Sequence, residues 1–253
     1  MKVIYGPVPS WRFGRSLGID VTPVEEKTCC FDCIYCQLGK TKILTSEKDE
    51  YVHLEKIKNE LEAINKENID VITFSGSGEP TLNSKLGEMI IFAKKFGFPV
   101  CVLTSAGLIN NKEVRKALNN ADIVSLKLDA ARGDTFQKIN RPLEGFSLEK
   151  IINGIIEFRK IYKGKLCLQM MFVEENKKEA EEMAIIAKEI NADEIQLDTP
   201  RRPSKVSPLS KEEMEDIEKY FKEMNYISVY KRKKPMAKAI DIKETLKRRP
   251  GLL

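Results

Sequence analysis

The sequence predicts an α/β domain built on a parallel sheet, and three observations carry that prediction. Six short apolar runs alternate with amphipathic stretches of helical period. Polar residues recur where those runs end. The chain has 253 residues, 42% of them hydrophobic, which is enough for one sizeable core, and no repeat or Gly/Ser-rich linker divides it. Right-handed crossovers then give either an open doubly wound sheet or a partial barrel. Both architectures place their chemistry at the carboxyl ends of the strands.

Residues 16–21 read as the first strand and lead into a cysteine-rich loop. Leu54, Ile57, Leu61 and Ile64 step by three and four, the signature of one apolar helix face. Residues 70–74 form a buried strand, 86–96 a helix and 99–103 the third strand. Residues 111–118 are helical and 123–128 extended. Ile151, Ile152, Ile155 and Ile156 belong to another helix, followed by a strand at 165–172. Ala180, Met183, Ala184, Ala187 and Ile190 line a helix face before the sixth strand, 194–197. Ser210-Lys-Glu-Glu213 is a capping box for a helix that buries Met214, Ile217, Phe221 and Met224. The Pro-rich stretch 200–208 reads as the loop leaving the six-strand unit. Residues 1–200 are therefore expected to form the core domain. Residues 201–253 are expected to be a helical, basic extension packed on it, with a last helix near 240–248.

No apolar run approaches the roughly 18 residues that a membrane span requires. The opening is too short and Pro-rich for a signal peptide, so a cytoplasmic protein is expected. Clustered cysteines in that compartment point to metal and not to disulfides. The net charge of +5 is uneven: residues 231–249 hold nine basic and two acidic side chains, and the remainder is slightly acidic. Such a segment makes RNA a candidate partner, although a solvated chain end accounts for it as well.

Four of the six cysteines, Cys29, Cys30, Cys33 and Cys36, fall within eight residues. Soft thiolates this dense suit iron or zinc. Cys30, Cys33 and Cys36 begin a ferredoxin-like run, which needs a further cysteine where residues 37–40 are Gln-Leu-Gly-Lys. Zinc needs a fourth ligand, for which Cys30 and His53 are the nearby choices. Cys29, Cys33 and Cys36 alone leave a metal position open. Cys101 and Cys167 lie within strand runs and read as buried, inert thiols. After the second strand comes Ser75-Gly-Ser-Gly78-Glu79-Pro, a tight turn or a close backbone approach to a ligand. Ser105, Lys127, Asp129, Gln169, Gln196 and Asp198 occupy later strand ends. Helix capping accounts for each singly; their recurrence favours one shared site. Arg12, Arg15, Arg201 and Arg202 are candidates to clamp an anion.

An aromatic residue, Tyr35, precedes the last cysteine of the frame Cys29, Cys33, Cys36. This pattern resembles the cluster motif of the radical S-adenosylmethionine (SAM) superfamily. The flank Tyr5-Gly-Pro-Val-Pro-Ser10-Trp-Arg12-Phe-Gly-Arg15-Ser-Leu-Gly18 resembles the opening of a small prokaryotic radical SAM family grouped near the wyosine-tRNA synthases. Members of that family tend to carry Arg where Trp11 stands. The resemblance continues through Gln196-Leu-Asp-Thr-Pro200-Arg201 to the closing Arg-Arg-Pro.

It implies a partial (β/α)6 TIM-like barrel with a short basic C-terminal extension. It also implies a four-iron, four-sulfur (4Fe-4S) cluster on Cys29, Cys33 and Cys36, whose remaining iron chelates SAM. An external one-electron reductant would drive cleavage of SAM to a 5′-deoxyadenosyl radical that abstracts a substrate hydrogen. Gly76, Gly78 and Glu79 match the superfamily's Gly-Gly-Glu segment at the SAM amino group, with Ser77 as a departure. By the same resemblance Ser105, Lys127 and Asp129 are expected at the SAM ribose or carboxylate, and Gln196 and Asp198 at adenine or substrate. Trp11, Phe13 and Phe31 are expected to cover the cluster, and Cys30 to be a spectator. Wyosine synthases add an N-terminal cysteine set for a second cluster, and residues 1–28 hold no cysteine. Imidazoline-ring synthesis is thus not expected, while tRNA modification of another kind stays open. The alternatives are an activase that installs a glycyl radical on a partner protein, and a plain iron-sulfur electron-transfer or zinc-binding module.

Overall fold

The computed structural model describes residues 2–22 and 25–252; Met1, Pro23, Val24 and Leu253 lie outside the described residues. The centre is an open eight-stranded sheet. It begins with an antiparallel hairpin of β1 (Ile4–Ser10) and β2 (Gly14–Ile19). A two-stranded ladder of β3 (Thr28–Cys29) and β4 (Ile43–Leu44) brackets the cysteine loop. The main sheet then continues in parallel from β2 through β5 (Val71–Phe74), β6 (Val100–Thr104) and β7 (Ile123–Lys127). β8 (Lys165–Met171), β9 (Glu194–Asp198) and β10 (Tyr226–Ser228) complete it.

The connecting helices are α1 (Leu54–Ala63), α2 (Leu86–Lys94), α3 (Lys112–Leu118), α4 (Gly133–Asn140), α5 (Leu148–Ile161), α6 (Ala180–Ile190) and α7 (Lys211–Glu218), with α8 (Ile242–Arg248) at the end. Their apolar stripes bury against alternate strand residues. Val124 and Leu126 of β7 and Leu166, Leu168 and Met170 of β8 share one core with Ile155, Phe158, Met183 and Ala187. The intervening residues point to the other face, where strand register pairs Ser125 with Cys167, Lys127 with Gln169, and Gln169 with Gln196. One face of the sheet is thus an apolar floor for helices and the other a polar wall.

The six expected parallel strands are present, and β10 adds a seventh. Its three residues are too few for a period-two pattern to register. β1 escaped notice because it contains Pro7 and Pro9. Prolines are tolerated there because β1 is an edge strand, whose outer amides need no ladder partner. α4 also went unrecognised, since among its residues only Phe136 and Ile139 mark an apolar stripe. The capping box is present in both arms: Ser210 Oγ accepts from Glu213 N at 3.1 Å, and Glu213 Oε2 accepts from Ser210 N at 2.8 Å. β10 places the segment after residue 200 inside the sheet, and α8 packs against β1. Arg248, fully buried, fastens α8 with ion pairs of 2.8 Å to Asp20 and 2.8 Å to Glu244.

Candidate active site

The cysteine loop leaves β2 over the carboxyl ends of the strands and is held there by backbone hydrogen bonds. Cys36 N donates to Cys33 O at 3.1 Å and Gly39 N to Cys36 O at 3.0 Å, which coils the loop through two turns. Asp32 N and Ile34 N donate to the carbonyls of Asn140 and Ile139 at 3.0 and 2.9 Å, so the end of α4 anchors it. On the opposite side Glu79 N donates to Thr28 O at 3.0 Å. A side chain at Gly78 would sit 1.8 Å from that carbonyl, and one at Gly76 would strike Asp20 at 2.2 Å. The glycines are therefore required by the fold's own close approaches, in addition to any ligand.

Cys29, Cys33 and Cys36 line one cavity of about 230 Å³ together with Gly76, Gly78, Glu79, Ser105 and Lys127. Cys30 turns the other way, fully buried, with Sγ 3.3 Å from Ser105 Oγ. The neighbouring Cys29 thiol, and then burial, push the Cys30 pKa well up. Burial, followed by Asp129, pushes Cys33 up to about 12. A thiol in that setting stays protonated until a metal cation binds the sulfur and displaces the proton to solvent or a base.

Glu79 is committed to its loop. Oε1 accepts from Thr81 N (3.0 Å), Thr81 Oγ1 (2.7 Å) and Thr104 Oγ1 (2.6 Å), and Oε2 from Ser105 N (2.7 Å). Lys127 Nζ reaches Gln169 Oε1 at 2.8 Å and Asp129 at 3.1 Å, and lies over the Tyr35 ring. Asp129 sits behind the cavity wall as a hub. It accepts from Tyr35 Oη, from Asn140 Nδ2 at 2.9 Å and from Met171 N at 2.9 Å. Gln196 is fully buried beneath the cavity, accepting from Ser125 Oγ at 3.1 Å and donating to Glu194 at 2.9 Å. Asp198 lines a second cavity, of about 250 Å³, beside Tyr35, Cys36 and Arg12. Burial raises its pKa, against Arg12 and Lys127.

Of the remaining expectations, the buried thiols Cys101 and Cys167 are present and others are corrected. Trp11 packs with Ile227 and Val229 next to β10 and borders the cavity toward Asp198, which Cys36 also lines, and Phe13 stacks near the Arg12 guanidinium. Phe31 alone of the three lines the thiol cavity, edge-on to Phe136 and Phe146 at 5.5 and 5.9 Å. Arg15 faces outward and pairs with Asp70 at 2.7 Å, which separates it from Arg12, Arg201 and Arg202. His53 is exposed beside Glu50. Cys101 and Cys167 are fully buried, and burial pushes both thiols up. The basic segment spends Lys231 on Glu218, Lys247 on Glu244 and Arg248 on Asp20 and Glu244.

Sequence reasoning missed Asn140 and Asp20. Asn140 Nδ2 lies 3.4 Å from Cys33 Sγ, and its Oδ1 is buried without a partner. Asp20 accepts from Ser77 Oγ at 2.6 Å and from Arg248, so Ser77 serves the loop's internal bonding. The position of Asn140 just before Arg141-Pro142, at a helix end, was the only available signal.

A 4Fe-4S cluster binds each thiolate through a different iron, so its ligands surround a volume and do not meet at a point. Among the described residues no three His, Cys, Asp or Glu side chains converge on a single ion, whereas three thiols line one cavity. Donor set, apolar wall and volume fit the cluster.

The chain matches the family described as the radical SAM superfamily over residues 27–185. It is 42% identical to a UPF0026 protein of Synechocystis sp., covering 83% of this chain and 78% of that protein. It is 40% identical to a protein named GTPase Obg from Brachyspira hyodysenteriae over 87% of this chain, which spans only 33% of that relative's length. The solved structure of TYW1 with a lysine-pyruvate adduct superposes with a TM-score of 0.64 at 17% identity, covering 83% of this chain and 74% of that one. At that identity the likeness is one of fold, a sheet curled into a partial barrel.

Proposed function

This chain belongs to the radical SAM superfamily of enzymes and to its UPF0026 family, and from that premise we propose that it generates a 5′-deoxyadenosyl radical for hydrogen abstraction. The observation that carries the reading is the set of three thiols around one cavity, opposite the Gly76–Glu79 turn. When bound, the cluster supplies the electron for reductive cleavage of SAM. The chain's own residues bind, orient and exclude water. Cys29, Cys33 and Cys36 would hold the cluster. Asn140 aims an N–H at Cys33 sulfur, which stabilises negative charge there. Phe31, with Phe136 and Phe146 behind it, keeps one side of the cavity dry. Glu79 fixes the turn through Thr81, Thr104 and Ser105, leaving the backbone of Gly76 to Gly78 to meet the amino-acid end of SAM. Lys127 offers a cation to its carboxylate or ribose, with Asp129 and Gln169 holding the ammonium in place. Asp198 faces the adjoining cavity, where adenine or substrate would lie.

Anaerobic reconstitution with iron and sulfide is expected to give a brown protein that converts SAM to 5′-deoxyadenosine under reductant. A protein that takes up iron without any change in its spectrum on adding SAM would instead be an electron-transfer module.

A further inference from the structure

We propose that the mouth of this site carries a separate subsite for the phosphate or carboxylate group of a small-molecule substrate, formed by Arg12, Arg202 and Arg249 at depth and by Arg201 and Lys234 at the rim. It deepens the enzymatic reading above and rests on it for the word substrate.

Arg12 stands where three cavities meet: the thiol cavity, the one of about 250 Å³ toward Asp198, and a third of about 240 Å³ toward Ser75 and Arg249. Its Nε is buried without a hydrogen-bond partner, and Nη1 only approaches Gln196 Oε1, at 3.4 Å. Arg202 borders both outer cavities and donates to Gln37 at 2.9 Å. Arg249 donates to Tyr5 Oη at 2.6 Å and Ser75 Oγ at 2.9 Å, and Arg201 to the Val229 carbonyl at 3.0 Å. These partners are all neutral oxygens. Among the described residues, none of the five cations is within ion-pair distance of a carboxylate. On the outer surface, by contrast, Arg15, Arg132 and Arg159 each pair with an acid, although among the described residues arginines without an ion pair occur there too.

The carboxylate facing these cations is Asp198, already held by Gln169 at 3.1 Å and by Thr199 N at 2.9 Å. Arg12, Arg201, Arg202 and Lys234 line the cavity that holds Asp198, and Arg249 lines the adjoining one with Arg12 and Arg202; this excess of cations over one acid, between low-dielectric walls, focuses a positive potential there. Planar guanidinium forks suit an oxyanion bidentately. The cations also penalise one another. Burial, then Arg249 and Arg12, bring the Arg202 pKa down to about 10; burial, then Arg201 and Arg202, lower Lys234. An entering anion relieves both. The deepest donors lie below the rim, where the end group of a small molecule fits and a continuous phosphate backbone does not. The amino-acid end of SAM is assigned to the Gly76–Glu79 turn and Lys127 in the thiol cavity, so its carboxylate and the substrate anion are expected to bind together.

Calorimetric titration of the reconstituted, SAM-saturated enzyme with inorganic pyrophosphate tests this, and citrate in a parallel titration shows which oxyanion is preferred. Binding of either is expected, about tenfold weaker in Arg202→Gln, as for loss of one charged hydrogen-bond donor. Lys234→Gln, an exposed rim change that does not endanger folding, is expected to weaken binding about threefold. Arg15→Gln is the unaffected control. Binding of neither anion, or equal affinity in all three variants, overturns the subsite. Loss of pyrophosphate binding on SAM saturation assigns the cations to SAM and also overturns it. Tighter binding of polyuridylate than of pyrophosphate moves the occupant to RNA and rejects the small-molecule inference. Anion binding without 5′-deoxyadenosine production would sink the enzymatic reading and leave the subsite standing; the converse result would sink the subsite alone.

Discussion

The two faces of the central sheet use the same strands under opposite rules. On the helix side, Val124, Leu126, Leu166, Leu168 and Met170 bury in one apolar core, and nearby cations on the surface pair with acids. On the inner side, the residues between them are Ser125, Lys127, Cys167 and Gln169; Lys127 pairs with Asp129, while Arg202 and Arg249 at the mouth meet neutral oxygens. The helix face supplies stability. The inner face holds buried polar and charged groups that cost stability and are retained by their hydrogen bonds. The two can therefore be altered separately.

The largest effect tests that separation at the thiols. Cys33→Ala is expected to abolish conversion of SAM to 5′-deoxyadenosine and to lower bound iron, while far-ultraviolet circular dichroism and the unfolding midpoint stay near the parent's. Loss of the folded state instead would make the cysteine loop part of the structural core and erase the distinction. Next comes a pair one strand apart. Leu168→Ala, on the helix face, is expected to cost about 2–5 kcal/mol in urea unfolding. Ser125→Ala, on the inner face, removes one hydrogen bond to Gln196 and should cost about 1 kcal/mol. Equal costs would break the comparison.

A smaller effect is one of sign. Burial raises the Asp198 carboxyl above its ordinary 3.8, with Arg12 and Lys127 opposing. Its contribution to stability is then full below 3.8 and fades as pH rises through the raised folded value. Asp70 is lowered by hydrogen bonds from Arg15, so its contribution is present above 3.8 and lost as pH falls through the folded value. Between roughly pH 3 and 7, Asp198→Asn is expected to gain on the parent with rising pH and Asp70→Asn to fall behind. Parallel curves in thermal unfolding would contradict the assignment of buried and exposed acids to the two faces. The smallest effect is expected outside: Lys160→Ala breaks an exposed pair with Glu157 and should leave the midpoint unchanged.

Much of the helix face was legible in the sequence. Leu54, Ile57 and Leu61, or Ala180, Met183 and Ala187, announce buried stripes because helical period is local. The cysteine frame was legible for the same reason, its ligands lying within eight residues. Hidden elements were those whose stabilisation is not local. β1 is held by pairing across the sheet edge in spite of two prolines, and β10 has only three residues. The inner face was legible as a list of polar strand ends but not as a set of partners. Ser105 and Glu79 looked like separate ligands, and the fold joins them by a 2.7 Å hydrogen bond. Arg12 and Arg15 looked equivalent three residues apart, and the hairpin sends one to the site and the other to Asp70 on the surface.

By itself, the amino-acid sequence determined the α/β alternation, the thiol frame around Cys29, Cys33 and Cys36 and the turn from Gly76 to Glu79, because each is written in neighbours along the chain. Only the tertiary structure decided that Arg248 seals the C-terminal helix against Asp20, that Asn140 reaches Cys33, and that Arg12, Arg202 and Arg249 gather without acids to match them. Those contacts join residues from about 50 to more than 200 positions apart, and their energies depend on burial and on which charges come to share a cavity. Local spacing carries no record of either.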